Sequence, residues 1–153
     1  MSKTKPTLII DTREQKPLNI TSGKIFEEIV RGKLDTGDYS IVGLESILCI
    51  ERKGEVSEFA QNIFQERFIK ELERTTLYKY VFVLFEFDMY DLLLFPKNLP
   101  LRIQKKIHYN GKFVLKKLIE LQTTFPNIHF MFCGNNTKEV LESICKRVIE
   151  LEW

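Results

Sequence analysis

Gly37-Asp38-Tyr39-Ser40-Ile41-Val42, followed by Ile47-Leu48-Cys49-Ile50-Glu51-Arg52-Lys53, is the stretch whose reading decides the fold. Tyr39 to Val42 and Ile47 to Glu51 are two short β-favouring segments, and Gly43, Leu44 and Glu45 between them give a spacing suited to a hairpin. Side chains alternate along a strand, so Glu51 and Lys53 point to one face, and the neighbouring arm brings Asp38 beside them. Two carboxylates at one spot repel each other, which a hard divalent cation relieves. Magnesium, for which manganese can substitute, keeps several waters and binds through one or two carboxylates plus substrate phosphate. A lysine beside such a cation holds the attacking water or stabilises charge on a phosphate, while the cation lowers the pKa of the water. The constellation therefore suits hydrolysis of a phosphodiester. Taken alone, Asp38 is equally a turn residue after Gly37, and Glu51 with Lys53 a solvated strand end.

Working outward, Thr7 to Ile10 reads as a strand ending at Asp11, and Thr12 to Pro17 as a charged surface loop. Ile25 to Leu34 suits either a short helix or a strand with a bulge, with a lean towards strand. Apolar residues at 56, 59, 60, 63, 64, 68, 69 and 72 recur with helical period, so a single helix is expected from Val56 to Leu72, with Ser57 as its N-cap. Tyr80 to Phe87 is a nearly unbroken β-branched and aromatic run, the pattern of a central strand covered on both faces. Asp88 to Leu94 reads as a short helix, Pro96 to Pro100 as a loop and Lys112 to Thr123 as a helix. Ile128 to Cys133 is a second buried strand, and Asn136 to Leu151 a C-terminal helix packed back on the sheet. The expected architecture is α/β, a central mixed sheet flanked by helices, with residues 1–153 forming one domain.

Composition bounds the class without naming it. With 44% hydrophobic and 29% charged residues the chain is ordinary for a soluble globular protein, and its net charge of +2 does not by itself point to a polyanion partner. Cys49, Cys133 and Cys145 are an odd set without CxxC spacing, each in apolar sequence, which argues against disulfides and zinc and for a reducing cytoplasm. Met1 to Pro6 is polar and basic with no apolar core, and the apolar runs fall well short of the roughly 20 residues that a membrane span needs. Neither secretion nor membrane insertion is expected.

The pattern of Gly37-Asp38-Tyr39 followed by Glu51-Arg52-Lys53 resembles the nuclease domain of the XPF/Hef family, whose GDY…ERK core is a variant of the restriction-endonuclease-like PD-(D/E)xK site. Ile9-Ile10-Asp11-Thr12-Arg13-Glu14 is similar to that family's opening strand and DxRE loop. Arg67-Phe68 with Glu71-Leu72 resembles the helix after the ERK, and Tyr80 to Glu86 its next strand. The likeness covers the first 90 or so residues well and the remainder more loosely. It implies a restriction-endonuclease-like fold and a magnesium-dependent DNA endonuclease acting on branched, flap or fork DNA in recombination, repair or replication. Asp38 and Glu51 become metal ligands, with Asp11 a further candidate, and Lys53 the group that orients water or phosphate. Arg52 becomes a structural or phosphate contact, and Asp11, Arg13 and Glu14 line the same cleft; a guanidinium at 13 suits bidentate phosphate contact.

Two departures stand out. The family motif usually carries an acid four positions after the lysine; here that place is Ser57, and Glu55 and Glu58 are the candidates to replace it. Many family members also append a helix-hairpin-helix pair that grips DNA and dimerises, for which residues 1–153 leave no room. A standalone phage or bacterial type is the expectation, cytoplasmic in the host cell, or nuclear if the source is eukaryotic. A homodimer or a helicase or recombination partner is a further expectation.

The stretch from Arg102 to Lys117 interleaves basic and aromatic residues, and Gly111 within it reads as a source of flexibility. Lys105, Lys106, Lys112 and Tyr109 are the candidate DNA contacts there, against the plain reading of a solvated helix face with aromatics in the core. Two other functions stay open: a catalytically inactive relative that only binds DNA or a partner, and a protein-interaction or nucleotide-binding α/β module. The absence of any GxGxxG or GxxxxGK loop speaks against a nucleotide-binding module.

Overall fold

The computed structural model describes residues 4–153; residues 1–3, part of the polar stretch read at the start of the chain, lie outside them. Six strands form one mixed sheet in the order β2-β1-β3-β4-β5-β6. They are β1 (Leu8–Asp11), β2 (Ile29–Gly32), β3 (Tyr39–Ile41), β4 (Leu48–Lys53), β5 (Tyr80–Phe85) and β6 (Ile128–Phe132). β3 is antiparallel to both β1 and β4, and the other neighbours are parallel. The expected hairpin is thus present, with Tyr39 opposite Ile50, and the ambiguous segment from Ile25 resolves into the edge strand β2.

The helices are α1 (Val56–Asn62), α2 (Glu66–Arg74), α3 (Met89–Leu94), α4 (Leu101–Gln104), α5 (Gly111–Thr124) and α6 (Thr137–Glu152). Period-two alternation sorts the strand residues onto the two sheet faces. Cys49, Val81, Val83, Phe85 and Ile128 face α1, α2, α3 and α5. Leu48, Ile50 and Leu84, with Leu8, Ile10 and Tyr39, face Leu141, Cys145 and Val148 of α6. Each buried Leu, Ile, Val or Phe contributes roughly 1.5–3 kcal/mol of transfer free energy, so the two clusters hold the sheet between them. This is the α/β, restriction-endonuclease-like architecture expected from the sequence. Among the described residues no helix is long and apolar enough to cross a membrane.

Four local expectations need correcting. The segment from Val56 to Leu72 is two helices. A straight helix turns about 100° per residue, which would send Phe59 and Phe68, nine residues apart, to opposite sides. The chain instead tightens at Phe64, whose N–H donates to Gln61 O at 3.3 Å, and becomes extended at Gln65. That turn lets both rings meet edge-on in one core, centroids 6.3 Å apart, and leaves Phe64 at the surface, 55% exposed. The N-cap of α1 is Glu55 and not Ser57, whose hydroxyl donates to the Glu55 carboxylate. β6, read as a second buried strand, is instead an edge of the sheet, with Ile128 buried and its other four residues half-buried or exposed. Gly111 is a close-approach residue: a Cβ there would lie 2.1 Å from Leu92 O, so α5 can pack on α3 only without a side chain.

Gly37 sets the entry to β3. Its φ is +87°, and a Cβ would meet Cys49 Sγ at 2.8 Å and Ile50 O at 3.1 Å. Both the backbone sign and the clash exclude L side chains. Gly37→Ala is expected to cost roughly 1–3 kcal/mol in urea unfolding; a change below about 0.5 kcal/mol, the scatter of ordinary surface substitutions, would contradict this placement.

Candidate active site

The site forms where the start of β3 meets the end of β4. Asp38 is fixed by its backbone on both sides: its N–H donates to Ile50 O at 2.8 Å, and its C=O accepts from Asp11 N–H at 2.8 Å. Its Oδ2 accepts the Arg52 N–H at 2.8 Å. The other carboxylate oxygen is left to the cleft, and Asp38 and Glu51 line two adjoining cavities, of about 460 and 230 Å³. Burial pushes both carboxyls up, and their mutual repulsion pushes Glu51 further; Glu14 and Asp11 add to the effect at Asp38. Lys53 acts in the opposite sense on each.

Lys53 is 7% exposed. Its ammonium stands 3.7 Å from Glu51, 3.8 Å from Glu58 and 5.1 Å above the Phe68 ring. The two carboxylates therefore lie just beyond hydrogen-bond range, leaving the N–H groups able to reach a water or phosphate oxygen. Glu58 also accepts the Gly54 N–H at 3.2 Å. It is thus Glu58, one position beyond Ser57, that brings an acid to the lysine.

Alternation along β4 turns Arg52 away from Glu51 and Lys53. Its guanidinium makes a two-pronged pair with Glu86, stands 3.5 Å from Glu14 and donates to Lys16 O. Burial opposes the charged form of Arg52, but the Glu86 carboxylate overrides it and holds the guanidinium strongly protonated. Arg52 is a clamp joining β4, the end of β5 and the loop after β1. Glu86 escaped attention in the sequence; the signal available was a lone acid closing the apolar run of β5.

Asp11 is 1% exposed. One oxygen accepts the Leu34 N–H at 2.8 Å, and the other accepts Arg13 Nε at 2.7 Å and Arg13 N–H at 3.2 Å. Burial raises its pKa, but these donors outweigh it and hold the carboxyl below its usual value. Both oxygens of Asp11 are thus occupied, in contrast to Asp38. Arg13 is largely exposed and also donates to Leu34 O. Glu14 is drawn in against Arg52 and lines the larger cavity.

The basic stretch lies apart from this cluster. Lys105, Lys106 and Lys112 are exposed and none lines either cavity. Tyr109 is half-buried, its ring 5.8 Å from Phe95 and 4.9 Å from Phe64, with its hydroxyl donating to Ala60 O at 3.5 Å. Its ring helps pack α5 against α1.

Asp38 and Glu51 suit a hard, oxygen-seeking cation: two half-buried carboxylates face one cavity, both raised by burial and repulsion. Among the described residues no group of three or more His, Cys, Asp or Glu could hold a metal ion, and an ion held by Asp38 and Glu51 would take its other ligands from water or a bound anion.

The ERCC4 domain family matches residues 10–146. The chain belongs to the ERCC4 domain family. No curated protein matches the chain. Two solved structures share the fold of this ERCC4 domain: XPF from Aeropyrum pernix, at 18% identity and TM-score 0.62, and the same protein in complex with DNA, at 20% and 0.63. Each match covers 96% of this chain but 66% of the other, so the ERCC4 domain described here spans just under two thirds of those structures. The resemblance to the XPF/Hef type read from the sequence is thereby borne out, and the identities of 18 and 20% carry the likeness at the level of fold.

The raised carboxyls give a pH signature. Without cation, the folded protein binds their protons more tightly than the unfolded chain, whose values lie near 3.8 and 4.5. The stability this brings is present in full below the unfolded values and is lost as pH rises through the folded ones. Denaturant midpoints in EDTA are expected to fall between about pH 5 and pH 8, and less steeply in Asp38→Asn, which keeps an acceptor for the Arg52 N–H. A fall of equal steepness in both proteins would contradict the assignment.

Proposed function

We propose that this ERCC4 domain is a magnesium-dependent endonuclease that hydrolyses phosphodiester bonds in DNA, with manganese able to replace magnesium. The observation that carries the reading is the convergence of Asp38, Glu51 and Lys53 on one cavity at the end of β4. A charge-relieving ion suits the two acids, and a lysine held at low exposure beside them suits phosphate. In this reading Asp38 and Glu51 hold the cation, which when bound supplies Lewis-acid polarisation of the phosphate and a more acidic water. Lys53 orients that water or balances charge building on the phosphate oxygens. Arg52 holds the floor of the site through Glu86 and Glu14, and Asp11 fixes Arg13 at the rim. The DNA complex of the Aeropyrum pernix protein supports DNA as the substrate, and the family resemblance supports branched, flap or fork forms.

The test compares wild type with Asp38→Asn and Lys53→Ala on labelled duplex, flap and fork DNA, with magnesium and with EDTA. Cleavage is expected only with magnesium, falling at least about 100-fold in each variant while binding persists. Binding by wild type without cleavage on any of these would overturn the enzymatic reading in favour of a binding module.

A further inference from the structure

The two cavities that share Asp38 and Glu51 differ in what else they present. In the smaller one the acids Asp11, Asp35 and Glu71 are matched by three cations, Lys53 and, on α2, Arg67 and Arg74. Residues 67, 71 and 74 recur at i, i+4 and i+7, so they form one stripe beside the buried Phe68 and Leu72. Neither guanidinium is firmly engaged. Arg67 has an exposed pair with Glu71 at 3.9 Å, worth little in water, and Arg74 has no ion pair among the described residues. In the larger cavity the additional groups are mainly acids, Glu14, Glu55, Glu58 and Glu86, and Arg52 there is already taken by Glu86 and Glu14. Lys16 is the exposed cation that only this cavity has, since Arg13, also exposed and bonded to Asp11, lines both.

A DNA strand carries a charge at every linkage, so its affinity depends on how many phosphates meet Lys or Arg. From this asymmetry we propose that the backbone on one side of the cleaved linkage lies in the Arg67 and Arg74 half of the cleft. The acid-lined half receives no continuing backbone phosphate. The inference rests on the nuclease reading for the position of the cut, but its own content is which cations grip the strand. It makes Arg67 and Arg74 substrate-positioning residues, and makes a strand held on one side of the cut the form this cleft takes. Planar guanidinium groups suit that task because they can bond two phosphate oxygens at once.

The experiment measures binding of a labelled forked DNA in EDTA by fluorescence anisotropy across a salt series. Arg67→Gln and Arg74→Gln are each expected to remove roughly one unit from the slope of log affinity against log salt. Arg74→Lys keeps a cation at the end of α2, so it should keep the slope and lose affinity only severalfold. Lys16→Gln, on the acid side, is expected to leave the slope unchanged. Full slopes in both glutamine variants, or loss of about one unit in Lys16→Gln, would overturn the proposal. Its failure is separable from that of the nuclease reading: magnesium-dependent cleavage with arginine-independent binding removes only the groove, and arginine-dependent binding without cleavage removes only the enzyme.

Discussion

The structure around the site depends on how the backbone of Asp38 is held between two strands. One peptide group donates to β4 and the next accepts from β1, so the residue is anchored from both sides before its side chain does anything. Each bond adds only about 0.5–1.5 kcal/mol to stability, but leaving such a buried group unpaired costs more, and that fixes position. Gly37 is the condition for it, since only a residue without Cβ passes between Cys49 and Ile50 at positive φ. The carboxylate then takes the Arg52 N–H, which ties its orientation to the same strand that carries Glu51 and Lys53.

Given that anchor, alternation along β4 assigns three successive residues to two tasks. Glu51 and Lys53 turn to the face covered by α1 and α2, where Phe68 and the helix start limit the lysine's exposure. Arg52 turns to the other side and gathers Glu86, Glu14 and the Lys16 carbonyl. The charged triplet therefore divides into two side chains that face the cavity and, between them, a cation that holds the structure together. Asp11 repeats the division of labour: its acid is filled by two backbone N–H groups and one guanidinium, and it shapes the rim that Arg13 crowns.

Much of this was legible in the sequence because it followed from strand periodicity. The hairpin of β3 and β4, the shared face of Glu51 and Lys53, and the buried strand β5 all follow from alternation and apolar runs, whereas β6 has an equally apolar sequence and yet lies at the edge of the sheet. The break between α1 and α2 was hidden because each half keeps helical spacing, and only the phase between Phe59 and Phe68 betrays the turn. Glu86 was missed for a different reason: its partner, Arg52, lies 34 residues away and meets it only through folding. Glu58 was one of the two acids offered in place of Ser57, and it is the fold that selects it over Glu55 by setting it 3.8 Å from Lys53. Gly111 was misjudged because a glycine required by close helix packing and one that loosens a loop look alike in one dimension.

The central claim is that Asp38 and Glu51 share one hard cation. Anomalous diffraction from crystals soaked in manganese tests it most directly, since a divalent ion of this kind sits about 2.0–2.2 Å from its oxygen ligands. The account expects one strong peak bonded to an oxygen of each of the two acids, with Asp11 still bound to Leu34 and Arg13. No peak there, or an ion held by other residues while Asp38 and Glu51 stay unligated, would contradict it.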